Sequence, residues 1–307
     1  MTAGGRHTNR TTPPSNLLDH VVALQSQVLC VLVEISRNTL RAQRSPPVTA
    51  ANMKPTSFLS ALALGANGLT LPESSFQTLR PRLNINDLLA LISELFPVNV
   101  TLEAAQDLIS TADQALADAE GFETTRNDVK DGVCGDVLVI FARGTDEPGN
   151  VGALVGPPFF DAIEDALGSG YTLAVQGVDD YGATVTEYLE GGDPEGSQEM
   201  ASLVTQAFTD CPSSKIVMGG YSQGGQIVHN AASLLPAATM EAVSSVVIFG
   251  DPDSTKSVDN AETSRVLIIC HTGDYICQDG DIIDLEHLTY AENAATAASF
   301  VVSNAGL

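Results

Sequence analysis

Five short apolar runs, separated by helical stretches, dominate the chain from Cys134 onward. The runs are rich in β-branched residues, which is typical of buried parallel strands, and they lie at 137–141, 172–178, 215–218, 243–249 and 266–270. Helical patterns lie at 159–167, 197–208, 223–235 and 290–302. This alternation predicts an α/β fold, a three-layer α/β/α sandwich around a central, mostly parallel five-stranded sheet. A catalytic domain is expected over residues 130–307.

A helical segment at 84–120 precedes this domain. Pro97 divides it into two helices, each with an apolar stripe that must pack on something. The stripe of the first helix contains Leu88, Leu89, Ile92, Leu95 and Phe96, and that of the second contains Ala105, Leu108, Ile109, Ala112, Ala115 and Leu116. The segment is expected to be a pro-segment or appended hairpin, with a lid over an apolar active site as the alternative.

Residues 1–80 are rich in Pro, Ser, Thr and Asn and are expected to be disordered or processed. Met53 opens a stretch in which one Lys precedes a short apolar run of small residues, the form of a secretory signal peptide. We therefore expect translation to start at Met53. The alternative is a genuine N-terminal arm with a helix near residues 17–36.

The net charge and the cysteine content limit the classes of function that the chain can have. A formal charge of −24 argues against binding to nucleic acid, whose phosphates need Lys and Arg, and against anionic membranes. No run of about 20 apolar residues is present, so no membrane span is expected. Without Cys30, which precedes Met53, four cysteines remain, and two disulfides can take up all four in a secreted protein.

Ser222 lies in the stretch Gly-Gly-Tyr-Ser-Gln-Gly-Gly at 219–225, between a predicted strand and a predicted helix. Its G-x-S-x-G pattern is that of the nucleophile elbow of α/β-hydrolases. The glycines are needed because a serine on so sharp a turn has a strained backbone, and side chains two residues away would collide. Ser222 is therefore the predicted nucleophile, with its hydroxyl above the sheet.

A serine nucleophile needs a base, and three histidines follow Ser222. His229 lies two turns along the elbow's own helix and is expected to be a surface residue. His271 ends a strand only three residues before Asp274. His287 lies in a loop before the last helix, where a long connection can bring its imidazole over Ser222, so it is the best candidate for the base.

The orienting carboxylate is expected between the serine and the histidine in chain order. Asp274 is bracketed by Cys270 and Cys277, and a disulfide there would hold its loop rigid. Asp251, in Gly-Asp-Pro, is the alternative acid, or a turn former before proline. Further candidates follow the same two strands: Asp253, Asp279, Asp281 and Asp284.

Four motifs in this order resemble the fungal cutinases over roughly residues 133–300. They are Cys-Gly-Asp-Val-Leu-Val-Ile-Phe-Ala-Arg-Gly-Thr at 134–145, Gly-Tyr-Ser-Gln-Gly at 220–224, Cys-His-Thr-Gly-Asp-Tyr-Ile-Cys at 270–277 and Glu-His-Leu-Thr-Tyr at 286–290. The resemblance implies a catalytic triad of Ser222, Asp274 and His287. It also implies the disulfides Cys134–Cys211 and Cys270–Cys277, and an oxyanion hole formed by the backbone N–H groups of Thr145 and Gln223.

The resemblance implies a secreted serine esterase that hydrolyses cutin or short acyl esters through an acyl-enzyme, without metal or organic cofactor. A monomer is expected. An acetylxylan esterase of the same superfamily is the alternative, and a catalytically idle binding protein is a rival from another class. The loops at 179–198 and 278–286 are acidic, which argues against strong binding to a waxy polymer. Ile282, Ile283, Leu285, Leu288 and Leu189 could still provide an apolar surface.

Overall fold

A parallel five-stranded sheet forms the centre of the computed structural model, which describes residues 100–307. Its strands are β2 (Val137–Ala142), β3 (Leu173–Gly177), β4 (Lys215–Tyr221), β5 (Ser245–Phe249) and β6 (Val266–Ile269). The strands lie in the order β3-β2-β4-β5-β6, and each neighbouring pair is parallel. The sheet is therefore parallel throughout.

Helices cover both faces of the sheet. They are α2 (Gly156–Leu167), α3 (Val185–Leu189), α4 (Pro194–Asp210), α5 (Gln223–Leu234), α6 (Ala237–Ala242), α7 (Leu285–Leu288) and α8 (Ala294–Ala305). Helices α2 and α8 pack together over one face, and α4 and α5 pack together over the other. The predicted three-layer sandwich is confirmed.

Alternation along β2 shows how the sequence builds two cores. Val139 and Phe141 contribute to the buried cluster under α2 and α8. Leu138 and Ile140 contribute to the cluster under α4 and α5. Because successive side chains of a strand point to opposite faces, an uninterrupted apolar run is needed when both faces are buried.

Two boundaries differ from the sequence prediction where the site is built. Strand β4 continues to Tyr221, three residues beyond the predicted end, so it runs directly into Ser222. The last helix was expected from residue 290, but a 3-10 turn over Tyr290–Asn293 precedes α8. That turn places Tyr290 in the buried core.

A short N-terminal strand and helix join the same domain. Strand β1 (Val100–Thr101) pairs antiparallel with β7 (Ile282–Ile283), and helix α1 (Leu102–Glu120) follows it. Helix α1 contributes buried side chains to the cluster that contains Phe141, namely Leu102, Ala105, Ile109, Leu116 and Ala117. The expected signal peptide, the helix near 17–36 and the first helix of the 84–120 segment lie outside the described residues.

Two disulfides fix the ends of the sheet. Cys134, ahead of β2, is bonded to Cys211 at the end of α4, with 5.6 Å between their Cα atoms. Cys270 and Cys277 are bonded across the loop that follows β6, with 6.1 Å between their Cα atoms. These are the two pairings that the family resemblance implies. Within residues 100–307, no helix is both long and apolar enough to cross a membrane.

Candidate active site

Ser222 occupies a strained turn between β4 and α5. Its backbone has φ 54° and ψ −122°, a region that costs a non-glycine residue on the order of 1–3 kcal/mol. The turn is held by the Ser222 N–H, which donates to the Phe249 carbonyl at 2.9 Å. The conformation is that of a nucleophile elbow, and it lifts the hydroxyl above the carboxyl edge of the sheet.

Glycine is required on both sides of this serine. A Cβ on Gly220 would lie 2.3 Å from the Gly224 carbonyl oxygen. A Cβ on Gly224 would lie 2.1 Å from the carbonyl oxygen of Ala142 in β2. Both contacts are with backbone, so they cannot be relieved by a rotamer change. The collisions expected from the sequence therefore arise from the close approach of α5 to the sheet.

The structure brings Ser222, His287 and Asp274 into one hydrogen-bonded chain. The Ser222 hydroxyl donates to His287 Nε2 at 2.9 Å, and His287 Nδ1–H donates to Asp274 Oδ2 at 2.9 Å. All three side chains are at least 97 % buried, with exposed fractions of 3 %, 2 % and 1 %. This arrangement has the geometry of a nucleophile, a general base and an orienting carboxylate.

Asp274 accepts two further hydrogen bonds. The Tyr290 hydroxyl donates to Oδ2 at 2.6 Å, and the Ile276 N–H donates to Oδ1 at 2.9 Å. Burial alone would raise the pKa of Asp274. The hydrogen bonds from His287 and Tyr290, together with the His287 charge, outweigh burial and lower that pKa below its ordinary value. The carboxylate therefore stays ionised opposite the imidazole.

His287 is held by its neighbours as well as by Asp274. Its backbone N–H donates to Asp284 Oδ1 at 3.0 Å, which caps the short helix α7. Its carbonyl accepts from the Tyr221 hydroxyl at 2.9 Å, and the Tyr221 ring stacks on the imidazole with 5.2 Å between ring centroids. The base is therefore fixed from its main chain and from its ring.

Thr145 and Gln223 lie together beside the elbow. The Gln223 side chain donates through Nε2 to Thr145 Oγ1 at 3.3 Å and to the Thr184 carbonyl at 2.6 Å. Among residues 100–307, the backbone N–H groups of Thr145 and Gln223 have no protein acceptor. Two unpaired N–H groups beside a serine nucleophile are suited to binding an oxyanion.

A buried carboxylate supports the loop that carries Thr145. Glu147 Oε2 accepts from the Gly144 N–H at 2.7 Å, and Oε1 accepts from the Ala153 and Leu154 N–H groups at 3.0 and 2.9 Å. Glu147 is only 4 % exposed. Three amide donors compensate for the burial of the charge and fix the loop from inside.

Asp113 of α1 lies close enough to Glu147 for their charges to interact, and it is 1 % exposed. Its Oδ2 atom has no hydrogen-bond partner among the described residues. Burial first, and then the charges of Glu147 and Asp146, raise the pKa of Asp113 well above the ordinary value of a carboxyl. Burial also raises the pKa of Glu147, but its three N–H donors oppose that rise, so we infer that Asp113 is the member of this pair that holds a proton.

The expectation that His229 is a surface residue is wrong. His229 is 8 % exposed, and its Nε2 lies 2.9 Å from Oδ2 of Asp251, which is fully buried. The turn that follows β5 covers this face of α5, which a helical periodicity cannot reveal. Asp251, the alternative acid, therefore faces His229. His271 Nδ1–H donates to the Glu286 carbonyl at 2.8 Å, its Nε2 lies 2.6 Å from Asn293 Oδ1, and its ring stacks on Tyr290 with 4.1 Å between ring centroids.

Sequence reasoning did not assign roles to several residues that the structure places in contact with the site. Tyr290 lies within one of the recognised motifs, and Tyr221 lies within the elbow pattern, but neither hydroxyl had an expected partner. Glu147 and Asp113 were not singled out. The only available signal was Asp113 itself, because a charged residue four positions after Ile109 lies on the apolar stripe.

Carboxylates near the elbow have structural partners. Glu187 and Thr184 form a capping box at the start of α3, and Asp193 caps α4 through the N–H groups of Glu195 and Gly196. The apolar side chains of Leu189 and Leu285 remain exposed, at 64 % and 39 %. Among the described residues, no group of three or more His, Cys, Asp or Glu side chains could hold a metal ion.

Comparison with known proteins decides the family. A family model described as Cutinase matches residues 133–305. The chain belongs to the cutinase family. It is a serine carboxylic-ester hydrolase, and the motif-based assignment is confirmed.

Named cutinases match over nearly their whole length. The chain is 48 % identical to a cutinase of Hypocrea jecorina over 252 residues, which cover 81 % of this chain and 98 % of the relative. It is 52 % identical to the cutinase pbc1 of Pyrenopeziza brassicae over 192 residues, 62 % of this chain and 92 % of the relative. A solved Trichoderma reesei cutinase in complex with a C11Y4 phosphonate inhibitor aligns with a TM-score of 0.61 and 51 % identity, covering 72 % of this chain and 98 % of that one.

Proposed function

We propose that this cutinase-family chain hydrolyses cutin and short acyl esters through an acyl-enzyme on Ser222. The observation that carries the proposal is the chain of two 2.9 Å hydrogen bonds from the Ser222 hydroxyl through His287 to Asp274. Relatives that bear the name cutinase, 48 % and 52 % identical, support the choice of substrate class. The role of each site residue follows from its contacts.

In the acylation step, Ser222 Oγ attacks the ester carbonyl carbon while its proton passes to His287 Nε2. The Asp274 carboxylate stabilises the imidazolium through the bond to Nδ1. The tetrahedral oxyanion accepts hydrogen bonds from the backbone N–H groups of Thr145 and Gln223. One such donor stabilises the transition state by roughly 3 kcal/mol. His287 then gives its proton to the leaving alcohol, and the C–O bond of the ester breaks.

In the deacylation step, water attacks the acyl-enzyme and His287 takes the proton from it. The second tetrahedral intermediate uses the same two N–H donors. Its collapse breaks the bond to Ser222 Oγ, which regains a proton from His287, and the carboxylic acid leaves. His287 takes and returns the proton in each step, so neither step requires a cofactor.

Substitution of the triad tests this mechanism. Ser222→Ala should lower kcat on p-nitrophenyl butyrate by about 10⁶-fold, and Asp274→Asn by about 10⁴-fold. Ser202→Ala is the matched control, because Ser202 is exposed on α4 and bonded only within its helix. Hydrolysis that survives Ser222→Ala would contradict the proposed mechanism. A serine-directed phosphonate that leaves Ser222 unlabelled would contradict it too.

Two exposed leucines, Leu189 and Leu285, favour an extended apolar acyl substrate. Leu189 is exposed at the end of α3, the helix that follows Thr184, and Leu285 is exposed at the start of α7, the helix that contains His287. Glu187 and Asp193 are engaged in helix caps, so these two carboxylates bind main-chain N–H groups. Release of cutin monomers should exceed deacetylation of acetylated xylan. The reverse order of rates would favour an acetylxylan esterase.

Secretion is part of the proposal. The two disulfides are consistent with an oxidising compartment. N-terminal sequencing of protein recovered from the culture medium should give a first residue after Met53, as cleavage of a signal peptide requires. Recovery of residues 1–52 in the secreted protein would support the N-terminal arm instead.

A further inference from the structure

A second histidine–aspartate pair lies behind the nucleophile elbow. His229 donates Nε2–H to Asp251 Oδ2 at 2.9 Å, and the two side chains are 8 % and 0 % exposed. Neither residue contacts the Ser222 hydroxyl or takes part in the proposed proton transfers. A polar pair of this kind is costly to bury and is held only where its geometry satisfies both partners.

The Asp251 carboxylate fixes the turn that follows β5. The side-chain Oδ1 accepts from the Asp253 N–H at 2.9 Å. The main-chain carbonyl of Asp251 accepts from the Ser254 N–H at 3.2 Å. On its other side it contacts the elbow helix, since a Cβ on Gly225 would lie 2.9 Å from Asp251 Oδ1. The turn is therefore anchored to α5 through His229 and through close contact at Gly225.

The residue before Asp251 lies against the catalytic base. Gly250 has φ 57°, and a Cβ there would lie 2.7 Å from Tyr290 Cε2, 2.8 Å from His287 Cε1 and 3.0 Å from His287 Nδ1. The Gly250 N–H donates to the Ile269 carbonyl at 2.9 Å, which ties this segment to β6. No side chain separates the Gly250 backbone from the imidazole. A small shift of the turn is thus transmitted directly to the ring.

We propose that His229 and Asp251 are positioning residues that hold the Gly250 backbone against His287 and so set the orientation of the base. This inference rests on the proposed roles of Ser222 and His287. It gives a role to a buried pair of which one member, Asp251, directly follows Gly250, the residue whose backbone lies against the imidazole. It also explains why Asp251, at the end of the strand next to that of Asp274, is fully buried without serving as the triad acid.

Removing one partner should disturb the base rather than the binding of substrate. In Asp251→Ala, His229 loses its acceptor and the Asp253 N–H loses its partner, so the turn relaxes around Gly250. We expect kcat on p-nitrophenyl butyrate to fall about 10- to 100-fold, the effect of misplacing a catalytic group by a fraction of an ångström to one ångström, with KM unchanged. Asp251→Asn keeps an oxygen for the Asp253 N–H, and its amide N–H can donate to His229 Nε2 in the imidazole tautomer that carries its proton on Nδ1, so it should restore most of kcat.

A spectroscopic measurement separates positioning from simple support of the fold. The proton between His287 Nδ1 and Asp274 Oδ2 gives a low-field proton resonance that depends on the orientation of the ring. Asp251→Ala should shift or broaden this resonance, and Asp251→Asn should leave it near the wild-type position. Asp253→Asn is the matched control, since it weakens the ion pair with the exposed Lys256 on the same turn and should change neither kcat nor the resonance.

The outcomes are distinguishable. A folded Asp251→Ala protein with wild-type kcat and an unshifted resonance would overturn the inference, whereas an active Ser222→Ala protein would overturn the proposed function instead. If Asp251→Ala does not fold, His229→Gln and His229→Leu take its place. Gln can donate to Asp251 and Leu cannot, so a higher kcat for Gln supports the inference, and equal kcat values contradict it.

Discussion

The Tyr290 hydroxyl donates to Asp274 at Oδ2, the same oxygen that accepts the N–H of His287. The tyrosine also accepts the His271 N–H at 2.9 Å, so it links the end of β6 to the carboxylate. One oxygen of Asp274 therefore has two donors, one fixed by the core and one that belongs to the base. Tyr290 is fully buried, which keeps this bond out of water.

Replacing this tyrosine should weaken the ionised state of Asp274. In Tyr290→Phe the carboxylate loses one charge-assisted hydrogen bond, worth about 1.5–3 kcal/mol. Because the native pKa of Asp274 is lowered, its contribution to stability is present above the ordinary carboxyl pKa and is lost as pH falls through the lowered value. The variant should therefore be less stable than the wild type at pH 7, and this difference should shrink as pH falls, because the wild type loses the larger carboxylate contribution on acidification. Urea unfolding between pH 7 and pH 3 measures this, and superimposable profiles would contradict it.

Adding a methyl group at Gly224 should disrupt the elbow. The Cβ would lie 2.1 Å from the Ala142 carbonyl oxygen, so α5 must move away from β2. We expect Gly224→Ala to lower the free energy of unfolding by about 1–3 kcal/mol and to lower kcat as well. Gly170→Ala is the control, because a Cβ there meets no atom within 4 Å. Equal effects of the two substitutions on activity and stability would refute the close-approach argument.

Asp113 should make stability fall as pH rises. Its raised native pKa means that the folded state keeps a proton that the unfolded chain releases above about pH 4. The stabilising contribution is complete below that pH and is lost as pH rises toward the raised native value. Asp113→Asn, a neutral side chain of the same shape, should show a smaller decline in melting temperature from pH 4 to pH 8. The exposed Asp118→Asn on the same helix should keep the wild-type slope, and an identical slope for Asp113→Asn would exclude a protonated Asp113.

Helix α1 should behave as part of the folded core. Ile109 is 5 % exposed and lies in the same buried cluster as Phe141. Ile109→Ala should therefore lower the global free energy of unfolding by about 2–5 kcal/mol, in a single cooperative transition. The exposed Ala104→Gly substitution, which costs only about 1 kcal/mol of helix propensity, is the comparison. A separate low-temperature transition in Ile109→Ala would indicate a helix that opens independently, as a lid does.

The fold could be predicted from local patterns because the inner strands of this sheet, β2, β4 and β5, are buried on both faces. The β-branched apolar run at 137–141, for example, is typical of a strand in a covered parallel sheet, and the glycines around Ser222 permit the close approach that a nucleophile elbow requires. The disulfide Cys270–Cys277 and the chain order Ser, acid, His were likewise readable before the structure. These features depend on residues near one another in sequence.

The remaining features depend on contacts that no local pattern contains. Asp251 and Asp274 both follow strands of the sheet, and only the tertiary packing shows that one faces His229 and the other His287. His229 is buried because a turn some 20 residues later covers it. Asp113 lies on the apolar stripe of α1, but a carboxyl is ordinarily assigned to solvent, and its burial follows from Glu147 and the loop beside it.

The pairing of β1 with β7 has a consequence for maturation by proteolysis. Val100 pairs with Ile283, and the Leu102 N–H donates to the Asp281 carbonyl at 2.7 Å, four and six residues before His287. A cut upstream of Val100 leaves the pairs Val100–Ile283 and Thr101–Ile282 in place. A cut downstream detaches the strand that borders the loop of the base. Val100 thus marks the last position at which a protease can trim the N-terminus while the segment leading to His287 keeps its main-chain partner.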